Sequence, residues 1–361
     1  RTKILEDKLS DRLHEELTKT FIDKRASVLA RGLKQDILFD TKIIDEERVM
    51  INQQYIGHLK GLKLELDFKS DALDDDIKSL KKAARQNVSP EIFKRISQII
   101  NTGLIQLKDD FKIYWKKYPI AKLISGPDYL NPQINLIIDD MIENDEKLKL
   151  YTYLQEWINN KIKFELKSLL DLKNIKENNS ELRALSYHLY ENNGVVKREN
   201  VSTYLNKLNQ EERSKLRKIG VKFGRYHVFL FKLFKPNAVS LRILLWKIFN
   251  EKDFNLFPPT FGLNFLEDKE KINKDFMLLC GFEKFDKFFV RIDILERLFI
   301  LILNANKNDE IKLIPEMLNL LGSNKENFIK LLKKMNYKIY NKDKEIYFKY
   351  ISNKKNIKKK E

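Results

Sequence analysis

The sequence predicts an α+β protein that is predominantly α-helical. Three observations favour this class. Apolar residues recur mainly at helical spacing, short alternating stretches next to glycine indicate strands, and only 11 glycines and 8 prolines interrupt 361 residues. Hydrophobic residues make up 43% of the chain, which is enough for more than one core. We therefore expect several folded units in sequence.

Residues 1–40 predict one long amphipathic helix that connects to what precedes it. Its apolar side chains recur at every fourth position, namely Leu5, Leu9, Leu13, Leu17 and Phe21. The chain starts at Arg1 without a signal-peptide pattern, so we expect a fragment of a longer cytoplasmic protein.

Residues 41–173 predict a duplicated unit of strands and helices. A strand pair lies between Arg48 and Asp67, and Ser89 with Pro90 opens the second of two following helices. Strand patterns return at 111–123 and 134–138, again ahead of a long helix. The segments that begin at Tyr55 and Tyr118 hold similar places, which predicts a repeat of about 63 residues.

Residues 174–285 predict a helical unit that resembles a winged helix. Ser180 and Asn209 are candidate N-caps, and Glu212 completes a capping box with Asn209. Gly220 ends a helix, residues 221–230 are extended, and Pro236 opens a further helix. Residues 257–262 form a loop.

Residues 286–352 predict a winged helix-turn-helix. Helices over 291–304 and 315–321 precede Gly322, and a capping box from Ser323 to Glu326 opens a helix that runs to Met335. A hairpin around 341–344 follows. Residues 353–361 are rich in lysine and predict a basic disordered tail.

Several kinds of chemistry are absent from the sequence. No Gly-x-x-x-x-Gly-Lys-Ser/Thr segment exists to bind ATP, so we expect no cofactor in this chain. The four histidines are widely separated and Cys280 is the single cysteine, so neither zinc nor a disulfide is expected. No apolar run reaches membrane-spanning length, and we expect no membrane partner.

The charge balance favours a polyanionic partner. The formal net charge is +17, which points to RNA or DNA, although a lysine-rich composition can also follow from nucleotide bias. One basic segment is interleaved with aromatic residues, as in single-strand binding sites. Its candidate contacts are Arg213, Arg217, Lys218, Lys222, Arg225, Tyr226, Lys232 and Lys235.

A second basic surface is predicted on the helix that ends at Met335. Its apolar stripe contains Phe328, Leu331 and Leu332, so the cations face solvent, where recognition helices meet nucleic acid. The candidate contacts are Lys325, Lys330, Lys333 and Lys334. The alternative is that the aromatic residues are core, the cations form a solvated rim, and the winged units dock proteins.

Four stretches of the chain resemble a known family. They are residues 11–25; Gly220-Val-Lys-Phe-Gly-Arg-Tyr-His-Val-Phe-Leu230 with Lys235-Pro236 and Leu241-Arg-Ile-Leu-Leu-Trp246; Val290-Arg-Ile-Asp-Ile-Leu-Glu-Arg297; and Leu320-Leu-Gly-Ser-Asn324 leading to Met335-Asn-Tyr337. These segments are similar to the long ATP-dependent superfamily 2 helicases of alphaproteobacteria, which are related to mitochondrial RNA-degrading helicases.

The resemblance implies that the chain follows two motor domains that bind ATP and Mg²⁺ upstream. It would then be an accessory region that guides a single strand past the motor. The resemblance does not indicate whether the bound strand is RNA or DNA. An interaction scaffold with docking winged helices is the alternative function.

Overall fold

A computed structural model describes residues 9–10, 12–13, 41–45, 47–51, 54–67, 74–140, 142–175, 179–251, 255–268, 272–285, 287–307, 310–342 and 345–351. Over these residues the protein is a mixed α+β structure with several small antiparallel sheets, and helices account for about half of it. The predicted α+β class is confirmed. The predicted connector helix lies almost entirely outside the described residues, and the predicted tail over 353–361 lies wholly outside them.

The chain divides into two compact units, residues 1–159 and residues 160–361. The described elements that lie in the first unit, or begin there, are β1 Thr41–Ile44, β2 Arg48–Ile51, β3 Gln54–Lys60, β4 Lys63–Leu66, α1 Asp74–Thr102, β5 Ile105–Leu107, β6 Lys112–Trp115, β7 Tyr118–Ile124, β8 Gln133–Leu136 and α2 Asn144–Glu165.

The first unit contains two four-stranded sheets with the same topology. Their strand orders are β1-β2-β3-β4 and β5-β6-β7-β8, so each is an antiparallel meander. Thr41 lies opposite Ile51 in the first sheet, and Ile105 lies opposite Trp115 in the second. Equivalent residues of these strands are therefore 64 positions apart.

The two sheets also share an irregularity. The pairing of β2 with β3 shifts register between Val49 and Met50, and that of β6 with β7 shifts between Ile113 and Tyr114. These shifts occupy equivalent places, since they too are 64 positions apart. A bulge adds twist at the same point of each sheet.

The spacing between the two halves grows after the third strand. The strands β4 and β8 begin 70 residues apart, and so do the helices α1 and α2. The longer β7–β8 connection accounts for the six extra residues.

The prediction of two helices around Pro90 is wrong, because α1 runs through this residue without a break. Pro90 removes one backbone donor, and the Ser89 hydroxyl donates to the Arg85 carbonyl at 2.9 Å instead of capping a new helix. Burial of one continuous stripe outweighs the missing hydrogen bond. The stripe consists of Ala84, Val88, Ile92, Ile96 and Ile99.

Helices and small sheets alternate through the second unit. Its described elements after α2 are α3 Lys167–Lys173, α4 Ser180–Glu191, β9 Val195–Lys197, α5 Ser202–Lys207, α6 Gln210–Ile219, β10 Val221–Phe223, β11 His227–Leu230, α7 Pro236–Asn250, β12 Phe265–Glu267, α8 Lys274–Leu279, β13 Phe282–Phe285, β14 Phe288–Arg291, α9 Ile292–Asn304, β15 Asn306–Lys307, β16 Glu310–Lys312, α10 Pro315–Leu321, α11 Lys325–Lys334, β17 Tyr337–Lys342 and β18 Glu345–Tyr350. Short 3₁₀ helices cover Arg198–Val201 and Phe231–Phe234.

Three small sheets of this unit share one strand pattern. Their orders are β10-β11-β9, β12-β14-β13 and β15-β16-β18-β17. In each, the last strand of a hairpin pairs with a strand that comes before the hairpin in the sequence. The residue boundary predicted at 285/286 falls in the turn between β13 and β14.

Local capping explains several helix ends. Asn209 and Glu212 form the predicted capping box, and Gly220 and Gly322 end helices in the left-handed conformation. Two predicted N-caps are wrong by one residue: Asn179 caps α4 instead of Ser180, and Asn324 caps α11 instead of Ser323. Both residue types are good caps, so the path of the incoming chain decides between neighbours.

The predicted inward face of α11 is confirmed. Phe328, Leu331 and Leu332 are fully buried and belong to one core that also contains Phe288 and Val290 of β14. This core therefore joins the middle sheet to the last one. Among the helices in the described ranges, none combines the length and apolar character that crossing a bilayer requires.

Candidate nucleic-acid interface

The turn between β10 and β11 is held by a buried carboxylate from α9. Glu296 is only 8% exposed and accepts hydrogen bonds from three consecutive backbone N–H groups. The donors are Arg225 at 2.5 Å, Tyr226 at 2.9 Å and His227 at 3.0 Å. Backbone amides that converge in this way form an anion-binding concavity, and the protein fills it with its own side chain.

Gly224 is required by this arrangement. A Cβ atom at residue 224 would lie 2.3 Å from Cδ of Glu296, so the carboxylate would have to leave its position on the three N–H groups. The Arg198 guanidinium holds the other side of the turn by donating to the Gly224 carbonyl at 2.7 Å. The sequence Lys-Phe-Gly-Arg-Tyr-His and the later Leu-Glu-Arg are thus two halves of one long-range contact.

A buried ionic network continues from this turn. Nε2 of His227 lies 2.9 Å from Oε2 of Glu283, and the other oxygen of Glu283 lies 2.9 Å from Nζ of Lys197. Nδ1 of His227 lies 3.8 Å from Glu296. His227 lies in the strand β11, and its burial is nearly complete.

Burial and neighbouring charges shift the pKa values of this network in opposite directions. Burial alone lowers the pKa of His227, but the hydrogen bonds and charges of Glu283 and Glu296 outweigh it and raise that pKa above its ordinary value. Burial alone raises the pKa of Glu283, but His227 and Lys197 outweigh it and lower that pKa. The network therefore holds charged groups in place inside the fold.

A second buried cation joins three segments behind the turn. Arg242 of α7 has no exposed surface, and its guanidinium donates to the carbonyls of Asn193, Leu233 and Leu279 at 2.8 to 2.9 Å. These contacts give the Leu241-Arg-Ile-Leu-Leu-Trp246 stretch a structural role. It fixes α7 to the turn before β9, to the 3₁₀ helix that follows β11, and to the end of α8.

A groove of about 670 Å³ opens beside the held turn. We call it the basic groove. Four cations line it, namely Arg198, Lys222, Arg225 and Arg297. Its apolar floor includes Phe231, Ile300 and Leu303.

The acidic residues that line the basic groove already have partners. Glu296 is held by the three backbone N–H groups, and Asp293 accepts two hydrogen bonds from Arg291 at 2.5 and 2.9 Å. In the described part of the chain, Lys222, Arg225 and Arg297 form no ion pair. Their charge is therefore available to an external anion.

The cations of α11 face a different environment. Lys330, Lys333 and Lys334 are exposed and line a groove of about 540 Å³ together with Glu267 and Asp268. Lys330 pairs with Glu326 at 2.8 Å, four residues away on the same helix. Asp268 is paired with Lys284 at 2.6 Å, so the acid that directly reduces the positive potential of this face is Glu326.

Most of the predicted contacts are exposed. They include Arg217, Lys218, Lys222, Arg225, Lys232, Lys235, Lys325, Lys330, Lys333 and Lys334. The structure brings Lys222 and Arg225 into the basic groove, and it places the four lysines together on α11.

Two predicted contacts make internal bonds. The Arg213 guanidinium donates to the Leu205 carbonyl at 2.6 Å, which ties α6 to α5. Tyr226 is half-buried, packs edge-on against Phe299 with ring centroids 5.7 Å apart, and has a pKa raised by burial. Their role in binding stays a prediction.

Sequence reasoning missed Arg198, Arg297 and Phe299 of the basic groove. Arg198 lies 24 residues before Lys222, and Arg297 lies 75 residues after it, so no local spacing connects them. The available signal was the Leu-Glu-Arg string at residues 295–297. Its glutamate is buried, whereas the next residue is exposed and lines the groove.

Cys280 is buried, and burial raises the pKa of its thiol to about 12. In the described ranges, no group of three His, Cys, Asp or Glu side chains is placed to bind a metal. No protein-family model, curated protein or solved structure shows significant similarity to this chain.

Proposed function

We infer that this chain is a nucleic-acid-binding accessory region of an ATP-dependent superfamily 2 helicase. It would bind single-stranded RNA or DNA and guide it past motor domains that carry ATP and Mg²⁺. The family resemblance supports the helicase context. The observation that carries the binding function is the basic groove, where four cations surround an apolar floor and both acids are hydrogen-bonded within the protein.

The element order supports winged-helix units in this role. A helix, a strand, two helices and a hairpin occur in α4–β9–α5–α6–β10–β11 and again in α9–β16–α10–α11–β17–β18. In both, the third strand lies between the other two. We assign both as winged helices, and the segment from α7 to β14 as a reduced form. The second helix of the pair, α6 or α11, is then the recognition helix.

The first unit is assigned as an internal duplication in this proposal. The shared strand order, register and bulge of its two sheets support a repeat. The residue spacing is 64 over the first three strands, close to the 63 expected from the sequence.

Salt-dependent binding tests the proposed function. Each phosphate neutralised on a single strand contributes about −0.7 to the slope of log affinity against log salt. We expect the triple variant Lys222→Ala, Arg225→Ala, Arg297→Ala to reduce the slope by about two units, measured by anisotropy with a random-sequence single strand.

A matched triple variant distinguishes the loss of the groove cations from a general loss of net charge. Lys63, Lys122 and Lys338 are exposed, and their replacement by Ala removes the same charge elsewhere. This control should keep nearly the parental slope. A parental protein with no salt dependence, or equal losses in both triple variants, would contradict the proposal.

One observation favours the alternative of a protein-docking scaffold. The loop between α7 and β12 exposes Phe257 at 77% and Phe261 at 50% beside two prolines. Aromatic residues are enriched at protein interfaces, so this pair of side chains is compatible with a docking site. If Phe257→Ala abolishes capture of a partner while strand binding is unchanged, docking belongs to this loop and not to the basic groove.

A further inference from the structure

The floor of the basic groove is unusual for a surface that binds only phosphate. Phe231, Ile300 and Leu303 are 38%, 56% and 53% exposed. Phosphate contacts need cations and donors, and an apolar floor adds nothing to them. The floor therefore fits a part of the ligand that is itself apolar.

Unpaired bases supply such a surface. In a duplex the base faces are stacked inside the helix, and only phosphates and base edges are accessible. In a single strand the faces are free, and they stack on aromatic side chains whatever the sequence. The groove volume of about 670 Å³ is ample for a planar base.

Cations and rings are interleaved at the groove. The Arg225 guanidinium lies 5.7 Å from the ring centroid of Phe299, and that of Arg217 lies 5.6 Å from Phe223. Planar guanidinium groups contact both phosphates and base faces. Because Glu296 fixes the turn that carries Arg225, this residue is held beside the floor before any ligand arrives.

We propose that the basic groove binds an unpaired nucleobase on the floor of Phe231, Ile300 and Leu303, with its flanking phosphates on Lys222, Arg225 and Arg297. The groove then selects single strands over duplexes. This inference rests on the proposed nucleic-acid binding and adds the chemical group that the site recognises.

Three probes of equal length test it: a single strand of mixed sequence, the same sugar–phosphate chain without bases, and a duplex. The first and second probes carry the same backbone charge. One stacked base contributes about five- to a hundredfold in affinity. The parental protein should bind the single strand about tenfold or more tightly than the abasic strand.

Variants of the floor should remove this preference. Phe231→Ala with Leu303→Ala should weaken binding of the single strand to the level of the abasic strand and leave abasic binding unchanged. The matched control is Phe257→Ala with Leu104→Ala, which removes the same side chains from positions 77% and 74% exposed. Both variants should stay folded, which melting curves check, since all four residues are at least partly exposed.

The outcomes separate the two proposals. If the parental protein binds no probe, the proposed function fails and this inference fails with it. If it binds the single and abasic strands equally, nucleic-acid binding stands and the base site is overturned. If an acidic amphipathic peptide competes for the groove and base preference is absent, the floor serves a protein partner and the inference is also overturned.

Discussion

The basic groove and the outer face of α11 differ in how acids are arranged around their cations. In the groove, the acids Glu296 and Asp293 are buried and bonded to the protein itself. On α11, Glu326 is exposed and pairs directly with Lys330. The groove therefore offers cations without competing partners, whereas the helix face offers cations that are already partly compensated.

This difference shows that a count of lysines does not rank binding surfaces. The four lysines of α11 are the denser cluster in the sequence, and the groove cations come from distant segments. In the groove, a buried carboxylate organises the turn that carries Arg225 and is not paired with its guanidinium. An exposed carboxylate one turn away on a helix reduces the local potential.

The largest expected effect comes from removing the carboxylate that organises the groove. Glu296→Ala leaves three backbone N–H groups without their acceptor, which should reduce the free energy of unfolding by about 3 to 5 kcal/mol. Urea denaturation measures this loss. Glu326→Ala, which removes an exposed glutamate from α11, should change it by less than about 0.5 kcal/mol. Similar values for the two variants would refute the structural role of Glu296.

A smaller effect is expected on the α11 face. Lys330→Ala with Lys333→Ala and Lys334→Ala should reduce the salt slope of binding by about one unit, less than the groove variant, because acidic neighbours already compensate part of this charge. Its melting curve should be parental. If this variant and the groove variant changed the salt slope equally, the two surfaces would not differ in their availability to phosphate.

The buried side of α11 should behave in the opposite way. Phe328→Ala should reduce the free energy of unfolding by roughly 3 to 4 kcal/mol by opening a core cavity, without a direct effect on the groove.

The smallest expected effect is a pH dependence of stability, which arises from the buried network of His227 and Glu283 beside the groove. The pKa of His227 is raised from 6.5, so its stabilising charge is present below about pH 6.5 and is lost as the pH rises through the folded-state pKa. The pKa of Glu283 is lowered from 4.5, so its contribution is present above about pH 4.5 and is lost as the pH falls through its folded-state pKa.

Melting temperatures across this range measure the dependence. The alkaline decrease should be smaller in His227→Gln than in the parental protein. The control His188→Gln lies outside the buried network and should keep the parental decrease. A parental profile in His227→Gln would show that another group causes the alkaline change.

Much of the local structure was predictable from short-range sequence. The Asn209–Glu212 capping box, the left-handed Gly220 and Gly322, and the buried stripe of α11 all depend on residues within a few positions of one another. Local rules failed where two residues were equally suitable, as at Asn324 and Ser323, or where packing overrode a breaker, as at Pro90.

The candidate site was predictable only in part. Lys222 and Arg225 were identified because cations and aromatic residues alternate in one segment. Arg198 and Arg297 could not be found in this way, since they reach the groove through the hydrogen bonds and packing of other elements. Arg213 illustrates the opposite case, because its donation to the Leu205 carbonyl is invisible in the sequence.

The sequence by itself determined the mixed α+β class, the ends of several helices to within one residue, and a strong positive charge, because propensity, periodicity and composition are local or additive properties. The tertiary structure alone decided which cations share a groove and which acids compete with them. That choice depends on a carboxylate of α9 entering a turn some 70 residues earlier, a contact set by packing that no local pattern encodes.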